Sequence, residues 1–232
     1  MEPYYEHGGI VIYHGDCIDV MNHLAPHYGE RPFDLLLTDP PYGIARVWKG
    51  GLGHGWGRAW EQSAVRNEWD STPPSPEAIA QMMRIAKDCV IWGGNHFALP
   101  PSRGWLVWNK PERNFSLAEA ELAWTTRDAV IRVKDLPRSE SDRQHPTQKP
   151  EALMRWCLKH FPKTKTVLDP FMGSGTTLVA AKRLGKSCVG IEREERYCEI
   201  AVKRLRQEAL PLDNYDGPDD GDAWSGGFAP NH

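Results

Sequence analysis

Seven short apolar runs, at residues 10–13, 33–38, 89–92, 105–108, 121–125, 166–169 and 187–191, are the strongest constraint on how this chain can fold. Segments with helical spacing lie between them, at residues 17–24, 76–87, 151–159, 176–184 and 194–210. Runs of four to six residues suit buried strands, and their alternation with helices predicts an α/β fold with a mostly parallel sheet. Ser75 followed by Pro76 is a helix start, an N-cap and then a proline at the first helical position. The 232 residues allow one large domain and little else. The expected division is a single domain over residues 1–210 with two irregular insertions, at about 43–75 and 111–147, and an acidic disordered tail over 211–232. No internal repeat is present.

The net charge of −3 argues at first against a nucleic-acid partner. Five of the 31 acidic residues, Asp213, Asp216, Asp219, Asp220 and Asp222, fall in the tail, which has no Lys or Arg. With those five set aside, 26 acids face 28 basic residues, so the acidity belongs to the tail and the body is close to neutral. The five cysteines form no C-x-x-C pair, and most sit among apolar residues, where a reduced thiol acts as a small hydrophobe. No apolar run approaches the roughly 18–20 residues of a membrane span, and the first residues lack a signal-peptide core. The expectation is a cytoplasmic protein that needs neither disulfide nor metal.

Chemistry concentrates at the carboxyl ends of three strands. Thr38-Asp39-Pro40-Pro41-Tyr42-Gly43 directly follows the apolar residues Phe33–Leu37. It places a carboxylate where α/β folds bind ligands, and two prolines remove N–H donors and leave carbonyls as acceptors. With Tyr42 the segment is acceptor-rich and aromatic, suited to an exocyclic amine on a flat base. A Pro-Pro turn with a capping Asp and a packed Tyr would read the same way. The second strand end is Asp169-Pro170-Phe171-Met172-Gly173-Ser174-Gly175-Thr176-Thr177. Its glycines permit close approach of a ligand, and the helix opening near Thr176 favours an anion at its N-terminus. Leu178 stands where a dinucleotide fingerprint needs glycine, and Ala180 where a P-loop does, so neither of those sites is present. The third is Glu192, alone a solvated strand-end acid, but about twenty residues beyond the glycine turn, where an acid holds ribose hydroxyls.

These segments resemble the amino-directed DNA methyltransferases that use S-adenosylmethionine, in the β-type order with D-P-P-Y before the cofactor loop. The resemblance runs from about Ile10 to Leu205. His14-Gly15-Asp16-Cys17 is similar to the segment that holds the cofactor adenine. Trp92-Gly93-Gly94-Asn95-His96-Phe97 and Trp105-Leu106-Val107-Trp108-Asn109-Lys110-Pro111 resemble the central strands. His145-Pro146-Thr147-Gln148-Lys149-Pro150 is similar to the segment that contacts the methionine part, and Tyr197 falls where the family continues into a helix. A D-P-P-Y motif about 130 residues upstream of the glycine loop argues against the protein-glutamine and many RNA methyltransferases, which carry N-P-P-Y downstream.

The resemblance implies a Rossmann-like methyltransferase fold in circularly permuted order, with helices on both faces of the sheet. It implies transfer of a methyl group to the N6 amine of adenine in a short target of double-stranded DNA, with the base flipped out. Asp39, Pro40, Pro41 and Tyr42 would form the catalytic segment, and no metal takes part. The cofactor would be held by Asp16, Cys17, Asp39, Lys149, Asp169, Pro170, Phe171, Gly173, Ser174, Gly175, Thr176, Thr177 and Glu192. Lys149 could equally be an exposed lysine, and Glu121 either lines the target pocket or is an edge-strand acid. Arg46, Lys49, Arg58 and Arg66 of the first insertion, with Trp48, Trp56, Trp60 and Trp69, would grip DNA, unless the tryptophans pack a small core of their own. Arg113, Arg127, Arg132, Arg138 and Arg143 are the candidates in the second. Two alternatives stay open: cytosine-N4 methylation, whose branch more often has Ser in place of Asp39, and a silent nucleic-acid-binding relative. A homodimer and a companion restriction endonuclease are also left open.

Overall fold

A computed structural model describes residues 1–28, 31–44, 72–113, 118–137 and 148–207. The first-insertion residues Arg46, Lys49, Arg58 and Arg66 with their four tryptophans, Arg138 and Arg143 of the second, and the tail over 211–232 lie outside the described residues.

The strands are β1 (Tyr5–His7), β2 (Ile10–His14), β3 (Phe33–Thr38), β4 (Ala86–Trp92), β5 (Trp105–Asn109), β6 (Ala120–Thr125), β7 (Arg132–Asp135), β8 (Thr166–Asp169) and β9 (Ser187–Glu192). The helices are α1 (Cys17–Tyr28), α2 (Pro76–Ile85), α3 (Glu151–Lys159), α4 (Thr176–Arg183) and α5 (Glu195–Gln207). Among the described residues, these nine strands join one sheet in the order β1-β2-β9-β8-β3-β4-β6-β5-β7. The centre, from β2 through β9, β8 and β3 to β4, is parallel. β6 runs antiparallel to both β4 and β5, and β1 is antiparallel to β2.

The sheet buries both faces, as a parallel centre must. Ile12, Leu35, Leu37, Val90 and Trp92 pack with Leu153 and Leu158 of α3, Leu178 and Val179 of α4, and Ala201 and Leu205 of α5. Leu36, Cys89, Ile91, Leu168 and Ile191 pack on the other side with Val20, Met21 and Leu24 of α1 and Ile79, Met82 and Ile85 of α2. Helices on both faces of a mostly parallel sheet make this the Rossmann-like architecture.

Several elements differ from the sequence expectation: β1 is not among the expected strands, and α1 runs past residue 24 to Tyr28. Helix α2 ends at Ile85 and β4 begins at once at Ala86, because pairing of Ala86 with Phe33 outweighs helical continuation through residue 87. β7 falls inside the second expected irregular insertion and pairs in parallel with β5 from Leu106↔Arg132 to Asn109↔Asp135. Its alternating half-buried and exposed residues, RVKD, carry too little apolar weight to announce a strand.

The central pairs are tied at their amino ends by Asp34. Its carboxylate accepts from Lys87 Nζ at 2.8 Å and from the backbone N–H groups of Lys165 and Thr166 at 2.9 and 3.1 Å. The Lys87 hydrogen bond leads in holding its carboxyl down at about 2. A depressed folded value means that this stabilisation is complete above the unfolded value near 4 and is lost as pH falls through 2. Because Lys87 is mostly exposed, its share is discounted, and Asp34→Ala is expected to cost about 1–2 kcal/mol at neutral pH. Thermal melts of both proteins at pH 7 and pH 3 check this, with the difference between them shrinking at pH 3.

Candidate active site

The connection leaving β3 passes through α2 on one face to β4, while that leaving β8 passes through α4 on the opposite face to β9. Adjacent strands thus send their crossovers in opposite directions, which opens a crevice at their carboxyl ends where open α/β sheets bind ligands. The D-P-P-Y segment leaves β3 and the glycine turn leaves β8, so 130 residues of sequence separation vanish at the sheet. Thr38 Oγ1 donates to Asp169 Oδ1 at 2.8 Å, which locks the two strand ends together.

On the β8 side, Asp169 is buried and also accepts from Phe171 N–H at 3.1 Å. Burial raises its carboxyl to about 6, against the hydrogen bonds from Thr177 and Thr38. Glu192, at the end of β9, accepts from Gly173 N–H at 3.0 Å and from Glu194 N–H at 2.8 Å. Burial pushes its carboxyl up as well. Gly15 N–H donates to the Glu192 carbonyl at 2.9 Å, so the end of β2 lies beside that acid. Asp16 there is exposed and caps α1 by accepting from Ile18 N–H at 2.8 Å; Cys17 beside it is half-buried.

The two turn glycines have different work. Gly173, at φ +51°, has nothing within 4 Å of where a Cβ would stand, so the turn leaves open space there for a ligand. Gly175, at φ +80°, would place a Cβ 2.8 Å from Ala201 Cβ, so it answers to packing against α5. Ser174, Thr176 and Thr177 are buried. Arg204 of α5 donates to Ser174 O at 2.7 Å and to Thr176 Oγ1 at 3.2 Å, while Ser174 Oγ donates to Gln148 Oε1 at 3.0 Å. These hydroxyls hold the turn in shape, and the open space lies at Gly173, whose N–H is held by Glu192. Gly173→Ala is therefore expected to weaken cofactor binding with only the roughly 1 kcal/mol stability cost of a left-handed residue. Gly175→Ala adds a core clash to that strain and should lower the melting temperature more. Calorimetric titration and melts of the two variants separate these effects.

On the β3 side, Tyr42 Oη donates to Asp39 Oδ1 at 2.6 Å, and Lys149 Nζ donates to Asp39 Oδ2 at 2.7 Å. The same ammonium lies 3.1 Å from Tyr42 Oη and 2.9 Å from Glu121 Oε2, and Lys110 Nζ bonds Glu121 Oε1. The Tyr42 ring stacks on exposed His96, with centroids 5.0 Å apart and planes 17° from parallel. Gly93 seats the ring: its Cβ would fall 2.1 Å from Tyr42 Cε1. Pro40 is buried and Pro41 half-buried, as a fixed turn requires.

Lys149 was expected to approach the cofactor, or to be exposed; it is buried and bonds Asp39 and Glu121. Glu121 is no edge-strand acid, because β6 lies between β4 and β5. Lys110, His96 and Gly93 were quoted in matching segments without a role. The signal for Lys110 was a lysine closing an apolar strand. Arg113 bonds the Lys110 carbonyl and Asn109 Oδ1 (2.8 Å), so it braces its own loop, while Arg127 bonds the His160 carbonyl and ties the turn after β6 to the end of α3. Among the described residues no group of three or more His, Cys, Asp or Glu could hold a metal ion, and no helix is long and apolar enough to cross a membrane.

A family model described as DNA methylase, the N6/N4 methyltransferases, matches residues 102–203. The type II methyltransferase M.ScaI of Streptomyces caespitosus is 27% identical, over 91% of this chain and 86% of that one. M2.MboI of Moraxella bovis is also 27% identical, over 92% and 94%. Among solved structures, the M1.HpyAVI–SAM complex superposes with a TM-score of 0.54 at 23% identity, covering 84% of this chain and 98% of that one. The cytosine-N4-specific PvuII DNA methyltransferase superposes with a TM-score of 0.58 at 16% identity, covering 93% and 91%. The chain is thus similar to type II DNA methyltransferases over about nine tenths of its length, and its residues 102–203 match the N6/N4 DNA methylase model.

Proposed function

We propose that this protein methylates the N6 amine of adenine in double-stranded DNA, with S-adenosylmethionine as donor. The observation that carries the reading is Asp39, a partly buried carboxylate fixed at the crevice by Tyr42 and Lys149. Asp at this position, where the cytosine-N4 branch more often has Ser, favours adenine.

The residues present fit the cofactor: an open floor at Gly173, an acid at the end of β9 for ribose hydroxyls, and buried Asp169 for an amine. S-adenosylmethionine supplies the methyl group as an activated sulfonium. The adenine amine is a weak nucleophile because its lone pair is delocalised into the ring. Asp39 accepts one amine hydrogen and the Pro40 carbonyl the other, which pulls the nitrogen toward tetrahedral geometry and turns its lone pair out of the ring. As positive charge develops on that nitrogen, the Asp39 carboxylate stabilises it more than it stabilised the ground state. The target base is flipped from the duplex to reach this seat. The Tyr42 ring already stacks on His96, so a base that stacks on Tyr42 takes the opposite side of the ring or displaces that imidazole.

Incubation with methyl-labelled cofactor and duplex DNA of mixed sequence, followed by digestion to nucleosides, tests the reading. The expected product is N6-methyladenine. N4-methylcytosine alone would replace the adenine reading with the cytosine one.

A further inference from the structure

Lys149 is the least expected group in the crevice. Its ammonium is almost fully buried, at 6% exposure, and three oxygens surround it: Asp39 Oδ2, Glu121 Oε2 and Tyr42 Oη. A buried lysine with three acceptors spends all three of its donors. The acceptors come from different parts of the fold. Asp39 and Tyr42 follow β3, Glu121 is on β6, and Lys149 itself stands just before α3. Lys110, buried at the end of β5, closes the other side of Glu121, and its ammonium lies 4.4 Å from the centre of the Trp108 ring. Two buried cations thus alternate with two partly buried carboxylates in one chain, Lys110–Glu121–Lys149–Asp39. Among the described residues, the remaining titratable groups near Asp39 are Asp169 on β8 and, across the Tyr42 ring, His96 after β4.

We propose that Lys149 is a positioning residue for methyl transfer: anchored on Glu121, it holds the Asp39 carboxylate charged and turned so that a lone pair on each oxygen stays open to the target amine. Geometry carries the argument. Tyr42 Oη takes one site on Oδ1 and Lys149 takes one on Oδ2, and a carboxylate has about four acceptor sites in all. The carboxylate is therefore pinned at both oxygens and still able to accept. Only the ionised form can do so at both, and the neighbourhood opposes ionisation. Burial drives the Asp39 carboxyl up, Lys149 brings it down, and the charge of Glu121 pushes it up again. Lys149 is the one cation in direct contact with Asp39 among the described residues.

The inference rests on the reading that Asp39 receives the amine, and the test keeps the two apart. Single-turnover methyl transfer is followed against pH for the wild type, Lys149→Met, Lys149→Arg, Glu121→Gln and Asp39→Ala, with cofactor affinity measured on each. Loss of the cation in Lys149→Met is expected to move the acid limb up by one pH unit or more, with cofactor affinity within two-fold of wild type. Lys149→Arg keeps the limb near its original place. Glu121→Gln removes an opposing charge and moves the limb down, a change of opposite sign that general loosening of the site would not produce. An unmoved limb in both Lys149→Met and Glu121→Gln overturns the inference, as does a Lys149→Met variant whose only defect is lost cofactor affinity. If Lys149→Met does not fold, the sign of the Glu121→Gln shift decides. Asp39→Ala that still turns over overturns the reading beneath; Asp39→Ala that is inactive beside an unmoved limb removes this inference alone.

Discussion

Replacing Asp39 with alanine lowers the rate of methyl transfer by on the order of 10²–10³-fold or more, the loss expected when a preorganised charge facing developing transition-state charge is removed. Cofactor binding changes by no more than a few-fold, because Gly173, Asp169 and Glu192 belong to other strand ends. The fold should tolerate the change. Lys149 keeps Glu121 at 2.9 Å and Tyr42 Oη at 3.1 Å, so the ammonium stays paired. Asp39→Asn keeps the shape of the side chain and loses its charge, so it should fall nearly as far. Quenched single-turnover assays with labelled cofactor, beside calorimetric titration, measure both quantities. Turnover near the wild-type rate in either variant would remove Asp39 from the chemistry.

Gly93→Ala is expected to damage the site almost as severely, through geometry alone. Gly93 has φ +68°, so any side chain there carries strain of about 1–2 kcal/mol. Its Cβ would also fall 2.1 Å from Tyr42 Cε1 and 2.5 Å from Cζ, an approach that ring atoms do not accommodate without moving. Displacing Tyr42 unpins Asp39 Oδ1 and breaks the stack on His96. A displacement of about 1 Å at a reacting group can cost 10²-fold, and a fall of that size is expected here. Strain and clash together should also lower the melting temperature by several degrees, at roughly 2–4 °C per kcal/mol for a chain of this size. Gly8→Ala is the control: it shares the positive φ, at +58°, with open space around it. It should show the strain and keep its activity. Equal activity of Gly93→Ala and Gly8→Ala would show that the Tyr42 seat is not needed.

The legible parts of the fold are those whose signal is local. β3, β8 and α3 run over the expected residues, because short apolar runs or a helical stripe end at a clear change of character. β1 and β7 were missed because each owes its existence to a neighbour, β2 and β5, rather than to its own apolar content. The site divides in the same way. Asp39, Asp169 and Glu192 can be found from sequence, since each closes an apolar run and strand ends are where this architecture works. The Lys110–Glu121–Lys149 chain cannot be found so. Glu121 meets Lys149 only because β6 is inserted between β4 and β5, an order that no local pattern encodes. The hydroxyls of the glycine turn show the converse: Ser174 and Thr176 looked ligand-facing, and Arg204, 28 residues or more away, turns them inward.

The central claim is that the segment after β3 and the turn after β8 form two walls of one crevice, with the methyl donor between them. A crystal structure with S-adenosylhomocysteine, the demethylated product, tests this most directly. The account predicts the ligand over Gly173, its ribose hydroxyls on Glu192 and its sulfur directed toward Asp39. A ligand bound elsewhere, or one in this crevice with its sulfur turned away from Asp39, would contradict it.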